Sequence, residues 1–198
     1  MLQTFKQARS IVTDLSFSPD GKALAVACSD GDIMLLNLTT ATLTQAFPAH
    51  SGWATSVSFS PNGKILASGG TDSTVKLWNA ENGRLLFTLE GHLSDVTNIS
   101  FSPDGKILAS SSEEGTVRVW NLKNGREISI LEGHLGSVTS VMFSPDGKTL
   151  ASAGIDNTIK LWNLDLDLDN LIGRGCLGLE DYFTSHPEEA KKISKICK

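Results

Sequence analysis

His50, Ser68 and Asp72 are the residue types of a Ser-His-Asp hydrolase: a hydroxyl nucleophile, an imidazole base and a carboxylate that holds the imidazole. Chain order is no objection, because such triads are defined by geometry. The set recurs as His92, Ser110 and Glu114, and again as His134, Ser152 and Asp156. A hydrolase needs one such site with an oxyanion hole, not one in every repeat. The sets are therefore read as structural, and no catalytic residue is expected. Asp165, Asp167, Asp169 and Asn170 resemble the start of a calcium loop. The sixth position is Asn170 instead of Gly, however, and the twelfth is Cys176 instead of Glu. Three carboxylates ahead of an apolar-periodic run read more simply as a helix N-terminal flank. No Gly-rich phosphate loop or metal-spaced Cys/His cluster occurs, so neither a metal nor a cofactor is expected.

The sets recur because the whole chain repeats. Phe-Ser-Pro-Asp-Gly-Lys stands at Phe17–Lys22, Phe101–Lys106 and Phe143–Lys148, with Asn62 for Asp in Phe59–Lys64. Phe17, Phe59, Phe101 and Phe143 are 42 residues apart each time. Trp78, Trp120 and Trp162, each followed by Asn, keep the same step, with Leu36-Asn37 in the first unit. Runs such as Val96–Phe101, Ile107–Ser111 and Thr116–Trp120 are rich in β-branched and aromatic residues and read as strands. Pro103-Asp104-Gly105 marks a tight turn between the first two, with Pro presetting φ and Gly accepting a positive one. A fourth run follows each Trp-Asn, as in Arg84–Leu89 and Glu127–Leu131. Four short strands per unit make one blade of a β-propeller.

Gly-His, then Phe-Ser-Pro-Asp-Gly, then Leu-Ala-Ser, then Asp-x-Thr-Ile/Val-Lys-Leu-Trp-Asn resembles the WD40 repeat over residues 1–164. Asn replaces the usual Asp after each Trp. The expected fold is all-β, with units at about 8–47, 50–89, 92–131 and 134–163 and residues 1–6 as an outer closing strand. The resemblance implies that Trp78, Trp120 and Trp162 each join a His, Ser and Asp/Glu set in a hydrogen-bonded network. Glu114, one methylene longer than Asp, sets the network of the third unit apart. The first unit has Ala8, Val26, Asp30 and Leu36 at these places and no network. The resemblance also implies a partner-facing loop end lined by three sets of positions. These are Ile11, Trp53, Asp95 and Ser137; Thr13, Thr55, Thr97 and Thr139; and Ser29, Thr71, Glu113 and Ile155. Trp53 is either an aromatic anchor for a partner or packs on a neighbouring loop. Asp95 and Glu113 suit a basic partner or are simply solvated.

After Asn163 the period changes to a helical one, so residues 165–198 are expected as a short helical tail. That tail resembles sequences following WD repeats in large bacterial multidomain proteins, some of them signalling NTPases. The chain of 198 residues is 40% hydrophobic and 20% charged with net charge −5. Lys and Arg are spread along it, so nucleic acid is not an expected partner. No apolar run reaches membrane-span length and no signal peptide is apparent, so a cytoplasmic protein without a membrane partner is expected. Cys28, Cys176 and Cys197 are expected as reduced thiols. The resemblance implies that four blades are too few to close a ring, since WD40 rings are mostly built from more. The expectation is an eight-bladed ring of two chains, the first strand of each completing the last blade of the other, or else the end of a longer propeller. The functional expectation is a non-catalytic scaffold for a protein or peptide; the second reading is a sensor module attached to an NTPase or protease.

Overall fold

Antiparallel hairpins follow one another without a helix from Val12 to Asn163. The computed structural model describes residues 4–6 and 8–164. Four sheets form in chain order. The first holds β1 (Val12–Phe17), β2 (Ala23–Cys28), β3 (Asp32–Asn37) and β4 (Thr42–Pro48). The second holds β5 (Ala54–Phe59), β6 (Ile65–Gly70), β7 (Val75–Asn79) and β8 (Leu85–Leu89). The third holds β9 (Val96–Phe101), β10 (Ile107–Ser112), β11 (Val117–Asn121) and β12 (Arg126–Leu131). The fourth has three strands: β13 (Val138–Phe143), β14 (Thr149–Gly154) and β15 (Ile159–Asn163). Each sheet is a meander in sequence order.

The turns follow from short side-chain hydrogen bonds. In the β1–β2 turn Gly21 takes a φ of 70° and Asp20 accepts from the Ser18 hydroxyl at 2.7 Å and from the Lys22 amide at 3.1 Å. Asp104 and Asp146 repeat the arrangement, and the serine hydroxyl holds each carboxyl below the usual range. The Asn after Trp78 and after Trp120 is explained at the next turn. Asn79 Oδ1 accepts the amides of Glu81 and Asn82 at 2.9 and 3.1 Å, a role that needs a carbonyl oxygen and no charge.

The core lies between sheets, not within one. Ala25, Ile33 and Leu35 of the first sheet pack on Val57, Leu66 and Trp78 of the second. One repeat later, Ala67, Val75 and Leu77 pack on Ile99, Leu108 and Trp120 of the third. Hydrogen bonds cross the same joints: Asp14 Oδ2 accepts from the Val57 amide, and Asn98 Oδ1 from the Val141 amide, at 2.9 and 3.0 Å.

Of the expected closing strand 1–6, residues Thr4, Phe5 and Lys6 are described, and in the single chain they lie outside any strand. Phe5 and Ala8 instead pack on Val26, Cys28, Met34 and Leu36, apolar residues that fill the first sheet where the others carry polar networks. In a single chain this face would otherwise meet water, and the N-terminal segment is the nearest apolar cover. The chain divides into units 1–162 and 163–198. The expected helical tail, the Asp165–Asn170 run, Cys176 and Cys197 lie outside the described residues.

Candidate functional site

The triad residues come together in all three units where they occur. In the second sheet the Trp78 indole N–H donates to Ser68 Oγ at 2.9 Å, and Ser68 Oγ lies 2.8 Å from His50 Nε2. His50 Nδ1 is 2.8 Å from Asp72 Oδ1. Since Ser68 Oγ already accepts the indole proton, its own proton goes to Nε2, and Nδ1 carries the proton donated to Asp72. The fourth sheet repeats this with Trp162, Ser152, His134 and Asp156. In the third, Trp120 donates to Ser110 at 2.8 Å, and His92 is 2.7 Å from both Ser110 Oγ and Glu114 Oε1.

Glu114 fits through a second difference. A Cβ on Gly70 would stand 2.4 Å from the His50 ring, and one on Gly154 2.6 Å from His134 Nδ1. The third sheet has Ser112 at this place, fully buried, its hydroxyl donating to the Ser94 carbonyl. The longer acid and the larger neighbour occur together.

These sets hold structure and offer no nucleophile. Ser68 and Ser110 are fully buried, and each hydroxyl is engaged by an indole on one side and an imidazole on the other. Burial pushes His50 and His92 below the usual imidazole value, against the pull of Asp72 and Glu114. Asp72 sits at about 2: burial opposes ionisation, but hydrogen bonds from Thr74, His50 and the Ser51 amide outweigh it. Both directions make the fold acid-sensitive. A folded imidazole that protonates less readily than an unfolded one stabilises fully above pH about 6.5, and that contribution is lost as pH falls. Asp72 adds a second loss as pH falls from 3.8 toward about 2. The urea midpoint should drop from pH 7.5 to 5.5 and again by pH 3. An unchanged midpoint down to pH 5 would mean that His50 and His92 are not buried and neutral.

The β2–β3 turn and the β4–β5 loop share one end of the first sheet, and their counterparts share that end of the others. Two of the three expected sets meet there. The amides of Ser29, Thr71, Glu113 and Ile155 donate to the carbonyls of Ile11, Trp53, Asp95 and Ser137 at 2.8–3.0 Å. Trp53 is 52% exposed, and Ile11 and Ile155 are also largely exposed. The threonine set is placed differently. Thr13, Thr55 and Thr97 donate to the carbonyls of Ala54, Val96 and Val138 on the next sheet, each at 2.5 Å. They tie sheets together. Thr139 donates to Ala153 of its own sheet at 3.2 Å.

The sequence reading missed Leu93 and Leu135, which follow His92 and His134 and are 86% and 93% exposed. They are held out by their own backbone: the Leu93 amide donates to Glu114 Oε2 and the Leu135 amide to Asp156 Oδ2, so the networks fix the base of each loop. Together with Trp53 and Ile155 they give this end an apolar set of side chains with Asp95 and Glu113 beside it. At the opposite end a groove of about 710 Å³ between the first two sheets is lined by Asp20, Lys22, Lys64, Asn79 and Glu81. Its charges are mixed and balanced. Among the described residues no three His, Cys, Asp or Glu side chains are placed to hold a metal ion.

Residues 41–79, 83–121 and 125–163 each match the family described as WD domain, G-beta repeat. Residues 3–54 match the Anaphase-promoting complex subunit 4 WD40 domain. No curated protein matches the chain. The matched stretch 41–79 contains β4, the outer strand of the first sheet, followed by β5, β6 and β7 of the second. Each sequence repeat therefore straddles two sheets. With these three matches covering more than half of its length, the chain belongs to the WD40 repeat family.

Proposed function

We propose that this chain is a non-catalytic scaffold that binds a protein or peptide at the loop end carrying Trp53, Leu93, Leu135 and Ile155. The observation that carries the reading is the exposure of these four large apolar side chains on loops whose bases are tied down by buried networks. Such a surface presents a partner with preformed apolar anchors and little conformational entropy left to lose. Asp95 and Glu113 beside them favour a partner with basic residues next to its apolar ones. Ile11, Ser137, Ser29 and Thr71 line the same end as contacts of lesser weight. Burial of every triad serine supports the absence of catalysis.

The platform in this reading is cytoplasmic and completed by a second chain, two sets of four sheets making an eight-bladed ring. The alternative, a sensor module attached to an NTPase or protease domain, uses the same surface and draws on the resemblance of the tail.

A phage-displayed random peptide library panned on the full chain tests the reading. Enrichment of peptides with an apolar residue flanked by Lys or Arg is expected, with binding weakened at least tenfold by Trp53→Ala, about 1.4 kcal/mol or more. Peptides that bind equally well to Trp53→Ala and to a Leu93→Ser, Leu135→Ser double variant would place recognition elsewhere.

A further inference from the structure

The same joint occurs three times inside this chain, and each end of the array keeps one unused half of it. The half facing the following sheet has an apolar centre in every unit, with Asp14 and Asn98 as polar links beside it in the first and third. Ile33 and Leu35, Val75 and Leu77, and Val117 and Val119 are buried against the next sheet. Their counterparts in the fourth sheet, Ile159 and Leu161, are 77% and 72% exposed. Met142 on the same row, where the other sheets have serine, is 63% exposed. Ser140, Ala151 and Ala153 complete that row, which carries no charged residue. A sheet face meant for water alternates apolar with charged positions, and this one does not.

The half facing the preceding sheet is unused at the other end. Val57, Ile99 and Val141 are buried in their joints, as are Phe101 and Phe143. Their counterparts in the first sheet, Leu15 and Phe17, are 54% and 66% exposed. The threonine ties mark the same gap. Thr13, Thr55 and Thr97 reach the carbonyl that begins the first strand of the next sheet. Thr139 keeps only the own-sheet bond, to the Ala153 carbonyl, that Thr55 makes to Gly69 in addition to its bond to the next sheet. By the 42-residue step the carbonyl it lacks belongs to Val12.

We infer that these two faces are one joint in two halves, and that a second copy of this chain fills both, head to tail. The fourth sheet of each chain packs on the first sheet of the other, with Thr139 donating to the partner's Val12 carbonyl. The inference rests on the ring reading above and assigns it an interface. A second copy is the occupant because the chain carries both complementary halves, and a molecule with both ends of a heterologous interface associates with itself. Two equal joints close the assembly and leave no apolar sheet face exposed. Closure displaces Phe5 from the first sheet while Ala8 keeps the place that His50 holds in the second, and Phe5 has a place to go. One 42-residue step later stands Phe47, an outer-strand residue packed in the first joint. Each family match likewise opens with an outer strand, and one step back from β4 falls on residues 1–6. Phe5 thus sits at the right phase to complete the fourth sheet of the partner beside β15.

Light scattering on a sizing column, with the full chain, tests the joint. The wild type should run at twice the chain mass of 21.2 kDa. Leu161→Asp and Phe17→Asp should each run as folded monomers, since both side chains are exposed in the single chain and neither is needed for its core. Mixing those two variants should restore dimer, because one Leu161 face and one Phe17 face remain intact and meet. Thr139→Ala should raise the dimer dissociation constant several-fold. A monomeric wild type overturns the inference, and so does a Phe17→Asp variant that dimerises alone, which would mean that two fourth sheets meet face to face. A ladder of higher oligomers overturns closure by two chains. Trp53→Ala should leave the mass unchanged, so failure of the loop-end binding reading is seen separately as lost peptide binding in an intact dimer.

Discussion

Trp120→Ala is expected to lower the unfolding free energy by about 3–5 kcal/mol. The side chain is 1% exposed and stands in the joint between the second and third sheets, beside Leu77, Val75 and Leu108. It also lies edge-on to the His92 ring, at a centroid distance of 6.2 Å. Truncation removes apolar contact on two sheets and leaves a cavity that stiff strands cannot close. The polar loss is smaller than it looks. Ser110 loses its indole donor but still donates to His92, so no buried proton is stranded. Ser110→Ala reverses the balance: little volume is lost, but the indole N–H and His92 Nε2 both lose their partner inside the protein. Unpaired buried groups cost about 1–3 kcal/mol each, so this variant is nearly as damaging. Trp162→Ala should cost less within the single chain, since that indole is only half-buried there. Urea unfolding followed by circular dichroism ranks the three. Equal midpoints for Trp120→Ala and the wild type would mean that the third sheet is not held through this joint.

What could be read from the residues and what could not divides along physical lines. The 42-residue step carried the strand positions, the turns and the phase of the outer strands, because each depends on local chemistry repeated four times. The step showed that the His, Ser and acidic positions recur; that each set joins its Trp in a network was implied by the resemblance to the WD40 repeat. How Glu114 fits was not legible, since it depends on Ser112 standing where Gly70 and Gly154 stand, a place whose contact with the imidazole only the folded structure shows. The threonine set read as loop-lining. A threonine early in a strand looks the same whether its hydroxyl meets solvent or the carbonyl of the next sheet, and only the stacking distinguishes them. Leu93 and Leu135 carried a signal that comparing the repeats would have caught, since Arg9 and Ser51 hold that place in the other two units. Ile159 and Leu161 are the opposite case. Their types and phase match core residues of the other units, so the residues alone do not set them apart, and only the count of four units pointed to an open face there.

Gly31→Ala is expected to destabilise the chain by about 2–4 kcal/mol, far more than a surface turn substitution normally does. Gly31 closes the β2–β3 turn, its amide donating to the Cys28 carbonyl at 3.0 Å. Its φ is 88°, and an added Cβ would stand 2.2 Å from the His50 carbonyl oxygen and 2.5 Å from that of Gly52. Both obstacles are backbone, so neither can rotate away. The β4–β5 loop must move as a whole, and with it go the hydrogen bonds from the Ala49 and His50 amides to the Gly31 carbonyl. The molecule supplies its own controls. Ser73 and Asn157 hold the same turn position in the second and fourth sheets with φ of 61° and 60°, where a side chain is accommodated. Ser73→Gly should therefore change stability by less than about 0.5 kcal/mol. Gly21→Ala, at a φ of 70° but with nothing within 4 Å of the added Cβ, isolates the backbone strain at about 1–2 kcal/mol. The excess of Gly31→Ala over Gly21→Ala measures the contact between the first sheet and the loop that carries His50 and Trp53. That excess should reappear as weaker peptide binding at the loop end, because the displaced loop no longer holds Trp53 against Thr71. If Gly31→Ala costs no more than Gly21→Ala, the loop is free to yield, and a preformed binding surface loses its main support.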